Sequence, residues 1–268
     1  MATDIFEKLV MGWRCSGIEE GDMVLLHSST KRLLRRLLRD KQKVSPKAIL
    51  RSFMDAVGNN GTLLLPLFNF DFAEGAAFDI MTTPSQMGIL SEVARTQPGV
   101  FRTGHPIYSF AAIGAKAPLF EGLENFSGYG ADSPFAILYS NRGKVAVLDL
   151  PEQDSMTFYH FVEEQENVPY RHHKVFKAPY TNSRGVRSDR EFGLFVRNID
   201  EGVETQVNQM GERLWEMGLY KGCRPGEGNG LRTISASSLF AATVEVIRSG
   251  NAEGLLYKIV SCGGPNAQ

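Results

Sequence analysis

Apolar and polar positions along the chain follow two periods in turn. Apolar residues in "ATDIFEKLVMGWRC" (2–15) recur at helical spacing, and Gly17 follows as a stop. "DMVLLHSS" (22–29) is a short apolar run that ends in hydroxyls, the pattern of a buried strand. "PKAILRSFMDAVG" predicts a helix with Pro46 near its start and Gly58 near its end. "GTLLLPLFNF" (61–70), "IYSFAAIG" (107–114) and "KVAVLDL" (144–150) predict strands, and "REFGLFVRN" (190–198) a late one. Helices are predicted over "PSQMGILSEVAR" (84–95), "MTFYHFVEEQENVPYR" (156–171), "VNQMGERLWEMG" (207–218) and "SASSLFAATVEVIRSG" (235–250). Buried strands alternating with helices point to an α/β fold, a layered mixed sheet covered by helices on both faces. "YTNSRGVRSDR" (180–190) is polar and predicts an exposed hairpin or loop, and "SCGGPNAQ" a frayed tail.

Composition changes this picture little. The chain has 268 residues, of which 43% are apolar and 22% charged, enough for a core without staples. The net charge of -1 gives no overall field toward nucleic acid or an anionic membrane surface. No run approaches the roughly 20 apolar residues of a membrane span. Cys15, Cys223 and Cys262 lie far apart, forming neither a disulfide framework nor a CxxC metal pair, so a reducing cytoplasm is the simplest compartment. The basic run "KRLLRRLLRDKQK" (31–43) has leucines at helical spacing, an amphipathic helix whose arginines either face solvent or meet a phosphate at a site's edge.

Several chemistries are absent as motifs. There is no phosphate loop GxxxxGK[ST], no GxSxG elbow and no HExxH zinc helix. Adjacent His172 and His173 do not have the spacing of a helical chelate, so no metal is expected. "RPGEGNG" (224–230) lacks the glycines of the GNAT pyrophosphate loop and predicts a surface turn.

Four segments set small polar groups where strands meet loops or helices. "LLHSSTKR" places Ser28, Ser29 and Thr30 after a strand, and "FDIMTTPSQMG" places Thr82, Thr83 and Ser85 before a helix; capping alone accounts for either. In "RTGHPIYSF", Pro106 holds His105 extended and Ser109 lies in the strand beyond. In "LPEQDSMTFYHFVEE", Asp154 or Ser155 is placed to cap a helix on which His160 and Glu163 share a face at i,i+3. As a surface pair they would contribute only a few tenths of a kcal/mol.

The order of "LLHSST", "GTLLLP", "FDIMTTPSQMGILSEVAR", "GHPIYSFAAIG", "YGADSPFAIL", "KVAVLDL" and "DSMTFYHFVEE…VPYR" resembles aminoglycoside 3-N-acetyltransferases of the antibiotic-NAT type, over about residues 5–250. The resemblance implies one acetyltransferase domain over residues 1–268, acetyl-CoA as co-substrate, and an amine on an amino sugar as acceptor. It implies His160 as the catalytic base with Glu163 as its acid. It assigns Ser28, Ser29, Thr30, Thr82, Ser85, His105, Ser109, Phe110 and Ser133 to donor binding. Where relatives carry a glycine-rich "LLLGVGHDSNT", this chain reads "AVLDLPEQDSMT", which changes the loop entering the catalytic helix.

Asp71 and Asp200 are candidates for gripping a cationic acceptor. A polycationic aminoglycoside would want acids such as Glu152, Asp154, Glu164 and Glu166 in the cleft; a nucleotide-linked amino sugar would want the cations of "YRHHK" (170–174). Histidine near its ordinary pKa of about 6.5 suits removal of the amine proton. The oxyanion needs a donor, for which Ser109 or the Ser28–Thr30 turn is expected, and no covalent enzyme intermediate is required. Readings from other classes are a CoA-binding module without activity and a purely structural protein. Oligomeric state leaves no mark on the sequence.

Overall fold

The computed structural model describes residues 4–260. The expected frayed tail and the first three residues lie outside the described residues. In chain order the elements are α1 (Ile5–Cys15), β1 (Met23–Ser28), α2 (Lys31–Arg39), α3 (Pro46–Val57), β2 (Thr62–Pro66), β3 (Phe78–Asp79), α4 (Ile89–Arg95), β4 (Phe101–Arg102), β5 (Phe110–Gly114), α5 (Pro134–Ser140), β6 (Lys144–Leu148), α6 (Phe158–Gln165), β7 (Arg171–Thr181), β8 (Arg187–Arg197), β9 (Val203–Thr205), α7 (Asn208–Glu216), β10 (Lys221–Gly222), β11 (Leu231–Ser235), α8 (Ala236–Arg248) and β12 (Tyr257–Ile259).

Seven strands make a mixed sheet in the order β10-β11-β6-β1-β2-β5-β4. Its centre is parallel, with β1 between β6 and β2, and the strands on either flank run antiparallel. Parallel neighbours cannot be joined by a hairpin, so the chain crosses through α2 and α3 between β1 and β2. Side chains alternate along β1: Met23 and Leu25 enter one core layer, Val24 and Leu26 the other. The first layer includes Phe135 of α5, Phe158 and Phe161 of α6, and Leu239 of α8. The second includes Trp13 of α1, Leu37 of α2, Phe53 of α3 and Leu90 of α4. Burial on both faces is why the strands read as unbroken apolar runs rather than as alternation.

The helix predicted over 156–171 is shorter, and Arg171 instead opens β7. Two local features end it: Asn167 takes a positive φ of 46°, and Pro169 disfavours helical geometry at Val168. The helix predicted from Pro84 begins only at Ile89, since residues 84–88 form an irregular loop. The polar stretch 180–190 is the turn and flanks of a hairpin in which β7 and β8 pair along all 11 residues of each strand. The apolar pattern marks neither β7 nor β11 as a strand. β7 opens on the exposed polar residues His172, His173 and Lys174, which mask its period.

Candidate active site

Open parallel sheets bind ligands beyond the carboxyl ends of their strands, where the connections diverge. Here β1, β2 and β6 end together at Ser28, Pro66 and Leu148. A cleft opens over these ends in two lobes. The larger, about 440 Å³, is lined by Ser28, Ser29, Thr30, Lys31, Pro66 and residues 86–90. The smaller, about 180 Å³, is lined by Phe68, Phe70, Tyr108, Met156, Thr157, His160, Thr205 and Val207. His27, Met87 and Asp154 belong to both walls and join them.

The larger lobe is built to receive oxygen atoms. The Ser29 N–H is spent on the Leu148 carbonyl at 2.8 Å. Thr30 stands at the N-cap of α2, yet its side chain makes no capping bond. Leu34 is the first residue of α2 whose N–H reaches an intrahelical acceptor, the Thr30 carbonyl at 2.9 Å. The preceding N–H groups of the first turn, with the positive end of the helix dipole, favour an anion or amide oxygen. Arg32 and Arg36 of the same helix do not face this lobe. They donate to the Glu227 and Gly228 carbonyls of the 224–230 loop, and Arg32 also to Asp149 at 2.9 Å. That loop is thus a surface turn tied to α2.

His160 sits on α6 with its ring 17% exposed, at the wall of the smaller lobe. Its Nδ1 lies 2.7 Å from Glu163 Oε2, and Glu163 is buried. Arg171, placed there because β7 begins where α6 ends, has its Nε 2.8 Å from the same Oε2 and its Nη2 2.8 Å from Nδ1. The Arg171 Nη1 also donates to the Phe195 carbonyl at 3.0 Å.

Burial alone would raise the Glu163 carboxyl, but Arg171 and the His160 hydrogen bond hold it below its ordinary 4.5. An ionised oxygen 2.7 Å from a ring nitrogen requires a proton between them, so the network assigns the proton to Nδ1. Arg171 Nη2 is then a close neighbour of Nδ1, not its donor. Nε2 is left with its lone pair. Burial first, then the positive Arg171, push His160 below its ordinary 6.5 against the pull of Glu163, so the ring is neutral at neutral pH. Tyr129 packs edge-on against it, ring centres 5.4 Å apart. Sequence reasoning read Arg171 as a helix end and as one of the cations of "YRHHK", and missed its place beside Glu163 and His160.

Of the residues expected at the donor, the structure brings Ser28, Ser29 and Thr30 to the cleft wall. Ser85 stands just behind it, its hydroxyl accepting from the Met87 N–H at 3.0 Å. The others are placed elsewhere. Thr82 is exposed on a turn whose N–H groups bond Asp79. His105 is fully buried, its Nδ1 accepting from the Tyr108 N–H and its Nε2 donating to the Gly193 carbonyl, and burial lowers its pKa to about 4. The buried Ser109 hydroxyl donates to the Leu67 carbonyl and accepts from Arg102, which corrects its expected role as an oxyanion donor. Phe110 is core, and Ser133 caps α5 by accepting from the Ala136 N–H. None of these five side chains lines either lobe.

Asp71 and Asp200 also miss the lining: Asp71 is exposed and accepts from Gln86, and Asp200 lies on a surface 3-10 turn. Among the acids offered for a cationic acceptor, Glu152 is buried against Tyr159, Tyr220 and Arg232, Glu164 accepts from Ser127, and Glu166 pairs with Arg248. Asp154, expected either as a helix cap or as an acid of the cleft, lines both lobes, and Thr157 at the N-cap of α6 makes no side-chain capping bond. Among the described residues no cluster of His, Cys, Asp and Glu could hold a metal ion, and no helix is long and apolar enough to cross a membrane.

Residues 25–248 match the family profile described as aminoglycoside 3-N-acetyltransferase. Relatives include aminoglycoside N(3)-acetyltransferase VIII of Streptomyces fradiae, 27% identical over 65% of this chain and 65% of the relative. The type III enzyme of Pseudomonas aeruginosa is 28% identical over 72% of this chain and 74% of its own length. The fold is that of AAC-IIIb bound to CoASH, with a TM-score of 0.77 and 22% identity over 92% of this chain and 97% of that one. Sisomicin-bound AAC-VIa superposes with a TM-score of 0.71 and 22% identity, over 91% of this chain and 98% of that one. With its profile match spanning most of the sequence, the chain belongs to the aminoglycoside 3-N-acetyltransferase family.

Proposed function

We propose that the protein transfers the acetyl group of acetyl-CoA to an amine of an amino sugar, with His160 as general base and no covalent enzyme intermediate. One observation carries this reading. A neutral imidazole, held by a buried Glu163–Arg171 pair, lines one lobe of a cleft whose other lobe is an anion-binding strand end and helix mouth. The donor's phosphates and pantetheine amides suit Ser28–Lys31, and its thioester reaches the shared wall. The acceptor nitrogen attacks the carbonyl carbon, and His160 Nε2 takes its proton. The C–S bond breaks and releases a thiolate whose thiol pKa is ordinary, about 8.5, so little acid assistance is needed. Glu163 stabilises the imidazolium that forms.

Two relatives in this fold were solved with sisomicin and apramycin, which supports an aminoglycoside acceptor. Asp154 is the one carboxylate in the lining of either lobe among the described residues, and it is positioned to hold an acceptor ammonium. Free-thiol release should be followed with sisomicin, apramycin and a nucleotide-linked amino sugar as acceptors of acetyl-CoA. Turnover with the aminoglycosides is expected. Turnover confined to the nucleotide sugar would replace the acceptor class, and none with any amine would overturn the reading.

A further inference from the structure

The buried Ser109 hydroxyl is spent on Leu67 and Arg102, which leaves the Ser28–Thr30 turn as the oxyanion donor expected from the sequence. His27 fills that role on different grounds. It stands at the carboxyl end of the central strand β1, two residues beyond Leu25. Strand alternation places its ring on the same sheet face as Met23 and Leu25, the face covered by α6 and His160. It belongs to the wall of both lobes, where donor and acceptor chemistry meet. The residue is 4% exposed, and its Nε2 is buried without a hydrogen-bond partner among the described residues. A buried polar nitrogen without a partner is destabilising, a cost that a ligand's acceptor atom would relieve.

Building on the acetyl-transfer reading, we propose that His27 is a second catalytic histidine, donating its Nε2–H to the thioester carbonyl oxygen of the acetyl donor. As the amine nitrogen bonds to the carbonyl carbon, the carbonyl electron pair moves onto oxygen and is held by this N–H without proton transfer. The pair returns as the C–S bond breaks, the thiolate leaves, and the amine proton remains on His160. The ring must stay neutral throughout. Burial, reinforced by nearby Arg232, lowers its pKa to about 3, so it acts as a fixed donor and not as an acid. A neutral imidazole serving as electrophile is an established enzymatic arrangement. Phe68 packs edge-on at 6.4 Å, which limits the ring's freedom to turn.

The test compares wild type, His27→Leu and His27→Gln, all checked for folding by circular dichroism, using acetyl-CoA with sisomicin. His27→Leu removes the donor and His27→Gln keeps an N–H of similar reach. The expected result is a fall in kcat of about a hundredfold or more for His27→Leu, the range for an oxyanion donor, with KM for acetyl-CoA nearly unchanged. His27→Gln should recover at least about tenfold of that loss. Infrared spectra of carbonyl-labelled acetyl-CoA supply a second readout that needs no turnover. The thioester band should lie at lower frequency on wild type than in water and return toward its free position in His27→Leu. An unshifted band on wild type, or a His27→Leu enzyme within threefold of wild type, overturns the assignment alone. A wild type that neither binds acetyl-CoA nor releases thiol overturns the acetyl-transfer reading and this assignment with it.

Discussion

A single buried contact decides what His160 can do. On an exposed helix face, the His160–Glu163 spacing would give a weak pair, worth a few tenths of a kcal/mol. Burying Glu163 and setting Arg171 against it turns the same spacing into a fixed tautomer with a free Nε2. Arg171 has two separable effects. Its positive charge lowers the His160 pKa, so Arg171→Gln should move the acid limb of the kcat/KM–pH profile to higher pH. In wild type that limb should lie below 6.5, because activity is lost as the neutral ring gains a proton. The substitution also leaves a buried carboxylate without its cation, which should cost about 3–5 kcal/mol in chemical denaturation. An unmoved limb in a folded Arg171→Gln enzyme would separate the arginine from the imidazole. The sequence held this residue in plain view, at the end of "VPYR", but spacing on a helix could not reveal a contact made by the next strand.

The central strands were legible as short unbroken apolar runs and the helices over them by their apolar period: β1, β2, β6, α1, α3 and α8 follow these patterns. β7 was not, since both of its faces are exposed over His172, His173 and Lys174, and its strand character comes from pairing with β8. Likewise, small hydroxyls beside strands and helix mouths cannot be sorted by sequence into ligand-binding and structural sets. Thr30 lacks the capping bond that would explain it, whereas Ser133 makes one. Ser133→Ala should therefore lower stability by about 1 kcal/mol and leave acetyl-CoA affinity unchanged. Calorimetric titration with the coenzyme beside thermal unfolding checks both, and a large loss of affinity would return Ser133 to the donor site.

Across the whole molecule, the core holds histidines that must stay neutral. Burial sets the pKa of His27 to about 3 and of His105 to about 4, and His160 is also below 6.5. In the unfolded chain these rings titrate near 6.5, so below that pH the unfolded state binds more protons than the folded one. Stability therefore rises with pH through this window and falls on acidification. The loss approaches about 1.4 kcal/mol per pH unit for each ring that stays neutral. Glu163 and Glu92, with pKa values lowered below 4.5, lose their contribution only at more acid pH. Melting temperatures should drop between pH 6.5 and 5, and a curve flat over that interval would show that these rings charge in the folded protein.

Removing the base tests the central claim most directly. Thiol release by His160→Ala should be compared with wild type at saturating acetyl-CoA and sisomicin, alongside the melting shift that acetyl-CoA induces. A fall in kcat of about a hundredfold or more, with the coenzyme-induced shift intact, is the expected result. Turnover within a few-fold of wild type would mean that the acceptor's proton leaves by another route, and the account would be wrong at its centre.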